Sequence, residues 1–92
     1  MITDDFEWDD AKAESNLSKH RISFRAARLV FDDTVALIEP NDTEDYDEDR
    51  FVAIGLANQV MIAVVFTECG SRIRIISARK ANSHEQWKYR RS

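Results

Sequence analysis

Between Phe51 and Lys80 the chain sets three strand-length segments around two connections too short for anything but hairpins. Phe51 to Ala57 and Val60 to Thr67 flank Asn58-Gln59, and Glu68-Cys69-Gly70-Ser71 leads into the third segment. Links this short join neighbours antiparallel, so the three segments form a meander. The last of them, "RIRIISARKA" at 72 to 81, alternates strictly over Arg72, Ile73, Arg74 and Ile75. Side chains alternate faces along a strand, so the isoleucines share one face and the arginines the other. One face is apolar and the other suits anions. The pair Ile75-Ile76 breaks the alternation and admits a bulge, which would reverse the face that later residues such as Arg79 occupy.

The flanking segments supply cover for the apolar face. Phe6-Glu7-Trp8 has the alternation of a short strand, and Asp9 or Asp10 can cap a helix running to about His20. Ser23 is a good N-cap for a second helix, in which Phe24, Ala27, Val30 and Phe31 fall near one face before Asp32-Asp33 end it. Val35 to Ile38 reads as a strand closed by Pro40, and the acidic stretch Asn41 to Asp49 reads as a loop. Asn82 or Ser83 caps a last helix, Glu85 or Gln86 completes a capping box, and Trp87 is expected to anchor this helix on the sheet. The order is strand, two helices, four strands, helix. It predicts an α+β two-layer sandwich whose antiparallel sheet shows one face to the helices and leaves the other largely open. With 92 residues and no linker or repeat, positions 1–92 make one domain.

Charge is distributed unevenly. The net charge is −4, yet residues 32 to 49 hold nine acidic and no basic side chains, whereas residues 72 to 92 hold seven basic side chains against Glu85. A bipolar chain of this kind either partly neutralises itself or presents an anion-binding surface on its basic side. The longest apolar runs, such as Met61 to Phe66, are strand-length, so no segment is expected to span a bilayer. The N-terminus lacks the features of a secretory signal, and the single Cys69 cannot form an internal disulfide. Both point to the cytoplasm, with Cys69 as an incidental turn residue.

Phosphate-cradling glycine loops, nucleophile elbows and helical histidine pairs for metal are all missing from the sequence. What remains suits charge stabilisation and proton transfer without metal or cofactor: His20, His84, Tyr46, Tyr89, Glu68, Arg50, Lys12, Lys19 and the basic residues of 72–80. RNA supplies its own nucleophile in the 2′-hydroxyl. A metal-free ribonuclease therefore needs a base, cations for the crowded phosphate, and an acid for the departing oxygen. Planar guanidinium groups on a sheet face fit the middle requirement, and His20 is the best proton-transfer candidate by its ordinary pKa. Each candidate has a plainer alternative. His20 sits well at a helix C-terminus, Arg50 can pair with the acidic loop, and Trp8 can be core rather than a platform for a base.

The motifs "FEWD" at 6 to 9, Lys12, Asn16, "KH" at 19 and 20, Ile22, Phe24, "VFDD" at 30 to 33, "DRF" at 49 to 51, "IG" at 54 and 55 and "RIRIISARKA" together resemble the BrnT family. These are ribonuclease toxins of type II toxin–antitoxin pairs. The resemblance implies a RelE-like fold, metal-independent RNA cleavage that arrests translation, and a BrnA-type antitoxin that carries the pair to operator DNA. Carried over by motif, it implies His20, Arg50, Arg72, Arg74 and Arg79 as catalytic and Trp8, Lys12 and Lys80 as substrate-binding. Two positions depart from the pattern. Arg21 stands where the family commonly has glycine, and "ECGS" replaces a turn that usually carries an arginine. A non-catalytic module acting in an antitoxin–DNA complex would call for the same arginines.

Overall fold

A computed structural model describes residues 1–41 and 49–91. The element order follows the expected one: β1 (Phe6–Glu7), α1 (Asp10–His20), α2 (Phe24–Ala27) continued by a 3-10 turn (Arg28–Asp32), β2 (Leu37–Pro40), β3 (Phe51–Ala57), β4 (Val60–Cys69), β5 (Arg72–Lys80) and α3 (Ser83–Arg91). Most of the acidic stretch 41–49, Tyr46 included, lies outside the described residues.

The five strands run in the order β1-β5-β4-β3-β2. The meander is antiparallel as expected, and β2 joins β3 antiparallel with Pro40 opposite Phe51. Pro40 belongs to the strand rather than closing it, which an edge position tolerates because no ladder donor is needed there. β1 departs from the antiparallel expectation. It lies parallel to β5, with Phe6 opposite Ile73 and Glu7 opposite Arg74, so the sheet is mixed. Sequence could not show this, because a two-residue strand carries no signal for its direction.

The main core lies between the sheet and the layer formed by α1, α2 and the 3-10 turn. Phe24, Ala27, Val30, Ile62, Val64 and Ile75 are buried there, and Phe31 packs edge-on against Phe66 at 5.0 Å. A smaller apolar cluster lies on the other face, where Ala81 and Tyr89 pack with Val52, Ile54 and Ala63. α3 therefore crosses the face expected to be open, at the end where β3 and β5 finish. Trp87 is not its anchor: it is 54% exposed. The anchors are polar, as described below.

Two side chains complete sheet edges where a neighbouring strand is missing. β1 pairs with β5 at Ile73 and Arg74 only, so β5 has an unpaired edge further on. Asn16, buried in α1, fills it: its carboxamide accepts from the Ala78 N–H at 3.1 Å and donates to the Ala78 carbonyl at 2.8 Å and the Ile22 carbonyl at 2.9 Å. A primary amide reproduces the donor and acceptor of a peptide group, so it substitutes for one residue of a missing strand. On β3, beyond the last pair with β2, Asp33 Oδ2 accepts from the Leu56 N–H at 2.9 Å. The close approach needs Gly55. A Cβ there would stand 3.1 Å from Asp33 Oδ2, the Ala36 Cβ and the Val30 Cγ1.

α1 ends at Arg21, which takes a left-handed conformation (φ 63°) while its N–H bonds to the Leu17 carbonyl at 2.9 Å. This is a glycine position by geometry, since a Cβ is disfavoured there. Arg21→Gly is expected to stabilise the protein by up to about 1 kcal/mol. Asn16→Ala, which strands buried backbone groups of Ala78, is expected to destabilise it by about 2–4 kcal/mol. Urea titration of both variants checks the pair.

Candidate functional site

β5 carries most of the candidate site, and its irregularity decides the composition. Phe66 pairs with Ile75 but Val65 pairs with Ser77, so Ile76 is the extra residue of a bulge. Before the bulge, Arg72 and Arg74 face away from the main core, opposite Cys69 and Thr67. After it, Ala78 turns into the core while Ser77 and Arg79 join the arginine face. Without the extra residue Arg79 would face the helices. The same shift sends Lys80 to the other face, opposite Ile62, so Lys80 stands apart from the arginines it follows.

The arginines are held by the protein. Arg72 Nε donates to the Thr3 carbonyl at 2.8 Å. Arg74 Nε meets Glu7 Oε2 at 3.0 Å, and its Nη2 lies 3.2 Å from Cys69 Sγ. Cys69 is thus the last residue of β4 beside an arginine, rather than a turn residue. Arg50 immediately precedes β3 and continues the alternation of Val52 toward the same face. Its neighbourhood is fixed by the Thr67 hydroxyl, which donates to the Asp49 carbonyl at 2.7 Å, and by the Asn41 N–H, which donates to the Arg50 carbonyl at 2.8 Å. Arg50, Arg72 and Arg74 are therefore on the half of this face that α3 does not cross, each of them half-buried.

Arg79 has a different situation. Its guanidinium forms a two-pronged pair with Glu85 of α3, at 2.7 and 3.0 Å. Glu85 also accepts from the Asn82 N–H while Asn82 accepts from the Glu85 N–H, which completes the expected capping box. The Arg79 bond holds the Glu85 carboxyl below its ordinary range, and Glu85 in turn raises Arg79. At the other end of α3, the Tyr89 hydroxyl donates to Asp33 Oδ2 at 2.7 Å, and Lys88 Nζ meets Glu39 of β2 at 3.0 Å. The Tyr89 hydrogen bond, followed by that from Leu56, lowers Asp33, and the bond to Asp33 raises Tyr89.

A second basic group lies at the edge of β5. Lys12, Asn16, Lys19 and His20 of α1 face Ile76 and Ser77 across a cleft of about 200 Å³. Ser77 also lies between Arg74 and Arg79 along the arginine face, so the cleft adjoins the arginine row through this residue. Trp8 is excluded from both groups. It is 8% exposed and packs against Phe24 ring to ring at 5.9 Å, near perpendicular, the core position that the sequence offers as its plainer alternative. Among the described residues, no helix is long and apolar enough to cross a membrane.

A family model for the ribonuclease toxin BrnT of type II toxin–antitoxin systems matches residues 8–85. The chain belongs to the BrnT family. Comparison with curated proteins gives no match. Membership in a type II toxin family implies an antitoxin partner. In this BrnT chain Asn16 and Asp33 complete sheet edges, Gly55 leaves room for Asp33, Trp8 and Phe24 build the core, and Arg72, Arg74 and Arg79 of β5 face away from it. Sequence reasoning gave Glu85 its capping box but missed its pair with Arg79, and missed the pairs of Glu7 with Arg74 and of Asp33 with Tyr89, which only folding brings together. Glu7 had one signal, its place between the core-facing Phe6 and Trp8.

The anchors of α3 make its docking pH-dependent. Glu85 and Asp33 titrate lower folded than unfolded, so their stabilisation is complete above their unfolded values and disappears as pH falls through the folded ones. Tyr89 titrates higher folded, so its contribution is complete below its unfolded value and disappears as pH rises through the folded one. Amide exchange of α3 measured against pH is expected to be slowest, relative to intrinsic exchange, between about pH 5 and 9, with protection lost outside that window before β3–β5 lose theirs.

Proposed function

We propose that this protein is a metal-independent endoribonuclease toxin in which the arginines on the half of the sheet face that α3 does not cross bind the scissile phosphate. The observation that carries this reading is the placement of Arg72 and Arg74, with Arg50, on the half of the sheet face that α3 does not cross, adjoining the Lys12–Lys19–His20 cleft. Anchoring Arg72 through Nε leaves its terminal nitrogens as the groups to meet phosphate oxygens, a preorganised arrangement that loses little rotamer freedom on binding. The 2′-hydroxyl attacks the adjacent phosphorus, the P–O5′ bond breaks, and the products are a 2′,3′-cyclic phosphate and a 5′-hydroxyl. Arg50, Arg72 and Arg74 stabilise the charge that builds on the non-bridging oxygens. His20, or a water it holds in the cleft, takes the hydroxyl proton or returns one to the leaving oxygen, while Lys12 and Lys19 hold neighbouring phosphates. Arg79 serves this site through α3: paired with Glu85, it is a positioning residue. Lys80, on the other face, has no part in the reaction, although it can meet a more distant phosphate.

The partner is a BrnA-type antitoxin. It covers the arginine face to silence the toxin in the cytoplasm, and operator DNA is met through the antitoxin alone.

The test is incubation of purified protein with end-labelled RNA in EDTA beside the Arg72→Ala/Arg74→Ala variant. The wild type is expected to leave 2′,3′-cyclic ends. The variant is expected to lose at least about 10²-fold in rate, the scale of removing a transition-state donor, with its circular dichroism unchanged. Cleavage that stops in EDTA, or a folded variant of undiminished rate, would sink the proposal.

A further inference from the structure

The outward side of α3 holds a stack that neither the fold nor the catalytic proposal uses. The His84 and Trp87 rings lie 5.9 Å apart and 12° from parallel, and the Arg91 guanidinium stands 4.8 Å from the centre of the Trp87 ring. Spacings of three and four residues place all three on one stripe of the helix. Trp87 is 54% exposed even so, and His84 and Arg91 are exposed as well. Helix stability does not require a large aromatic at such a position, because pairs of this kind contribute only about 0.2–0.5 kcal/mol each.

The stripe has a direction. Tyr89 reaches Asp33 beside Leu56, at the end of β3, whereas Lys88 reaches Glu39, which pairs with Val52 two residues from Arg50. At 100° per residue, His84 and Arg91 stand about 40° and 60° from Lys88, on the side away from Glu85 and Tyr89, so the stripe lies on the outward side of α3 next to Lys88. Among the described residues, Glu85 pairs with Arg79, Glu39 with Lys88 and Glu7 with Arg74. The stack itself is basic and aromatic, the combination that takes single-stranded nucleic acid by backbone charge and base stacking.

We infer that the His84–Trp87–Arg91 stack is a binding platform for the single-stranded RNA flanking the cleaved phosphate. This rests on the ribonuclease reading above. A base extends the stack on the open side of His84, and Arg91 meets a phosphate of the same strand. The function of Trp87 is then to hold the imidazole and the guanidinium in fixed positions.

The test uses the full chain and a short single-stranded 2′-O-methyl oligoribonucleotide, which lacks the attacking hydroxyl and can bind without being cut. Titration is expected to change Trp87 emission, with Trp87→Phe supplying the Trp8 background. Trp87→Ala and Arg91→Ala are each expected to weaken binding about tenfold, the lower range of stacking one base. In cleavage of unmodified RNA both variants are expected to raise KM with kcat and thermal stability unchanged. Wild-type emission insensitive to the oligonucleotide, or equal affinity in both alanine variants, would overturn the platform. If the wild type still cleaves RNA in EDTA, the ribonuclease reading survives that result. Oligonucleotide binding that depends on Trp87 without any cleavage would instead uphold the platform and refute the reading. Loss of antitoxin binding in the alanine variants with unaltered RNA binding would also overturn the platform, assigning the stack to a protein interface.

Discussion

The edge of β5 is the constraint on which the remaining structure depends. This strand is paired along its length with β4, yet on its other side β1 accompanies it for two residues only. A buried peptide group without a partner costs on the order of 1–3 kcal/mol, so the open stretch must be closed by something that donates and accepts. Asn16 does so at Ala78 and thereby fixes α1 against the sheet. The bulge at Ile76 lies in the interval between β1 and Asn16, where no neighbouring ladder resists an extra residue. One edge arrangement thus sets the position of α1, the opening of the cleft and the face taken by Arg79.

The far side of the sheet repeats the device with a carboxylate. Asp33 closes the edge of β3 beyond β2, and the same oxygen receives the Tyr89 hydroxyl from the opposite face. A single side chain therefore ties the helical layer, the sheet edge and α3 together, and Gly55 is the residue whose missing Cβ allows it. α3 owes its place less to apolar area than to three polar anchors: Glu85, Lys88 and Tyr89. Such anchors are directional. They determine which end of the sheet is covered and so which arginines remain accessible.

That division gives the arginines two distinct functions. Arg79 is consumed in holding α3, while Arg72 and Arg74 are oriented by a carbonyl and a carboxylate on β1 and its approach. Orientation by neighbours is what a site for a planar, bidentate contact requires, because a guanidinium held in place loses less freedom when an anion arrives. The neighbouring carboxylates also temper the positive potential, so a bound polyanion must supply more than charge. A stack of aromatic and cationic groups on α3 is one way of supplying it.

Much of this was legible along the chain. Hydrophobic alternation with two short links determined the meander, Asp9 or Asp10, Ser23, and Asn82 or Ser83 marked helix starts, and the strict period of 72 to 75 put Arg72 and Arg74 on a common face. These are local properties, set by side-chain direction within one strand or by caps within one turn. The direction of β1, the use of Asn16 and Asp33 as edge closures, the burial of Trp8 and the exposure of Trp87 were decided by the tertiary structure alone. Each depends on which distant backbone group or ring arrives opposite, and a two-residue strand or a polar helix face carries no record of that. The double isoleucine at 75 and 76 marks the boundary between the two kinds of information: the sequence permitted a bulge, and only the pairing of Val65 with Ser77 decided that Arg79 would face the site side and Lys80 would not.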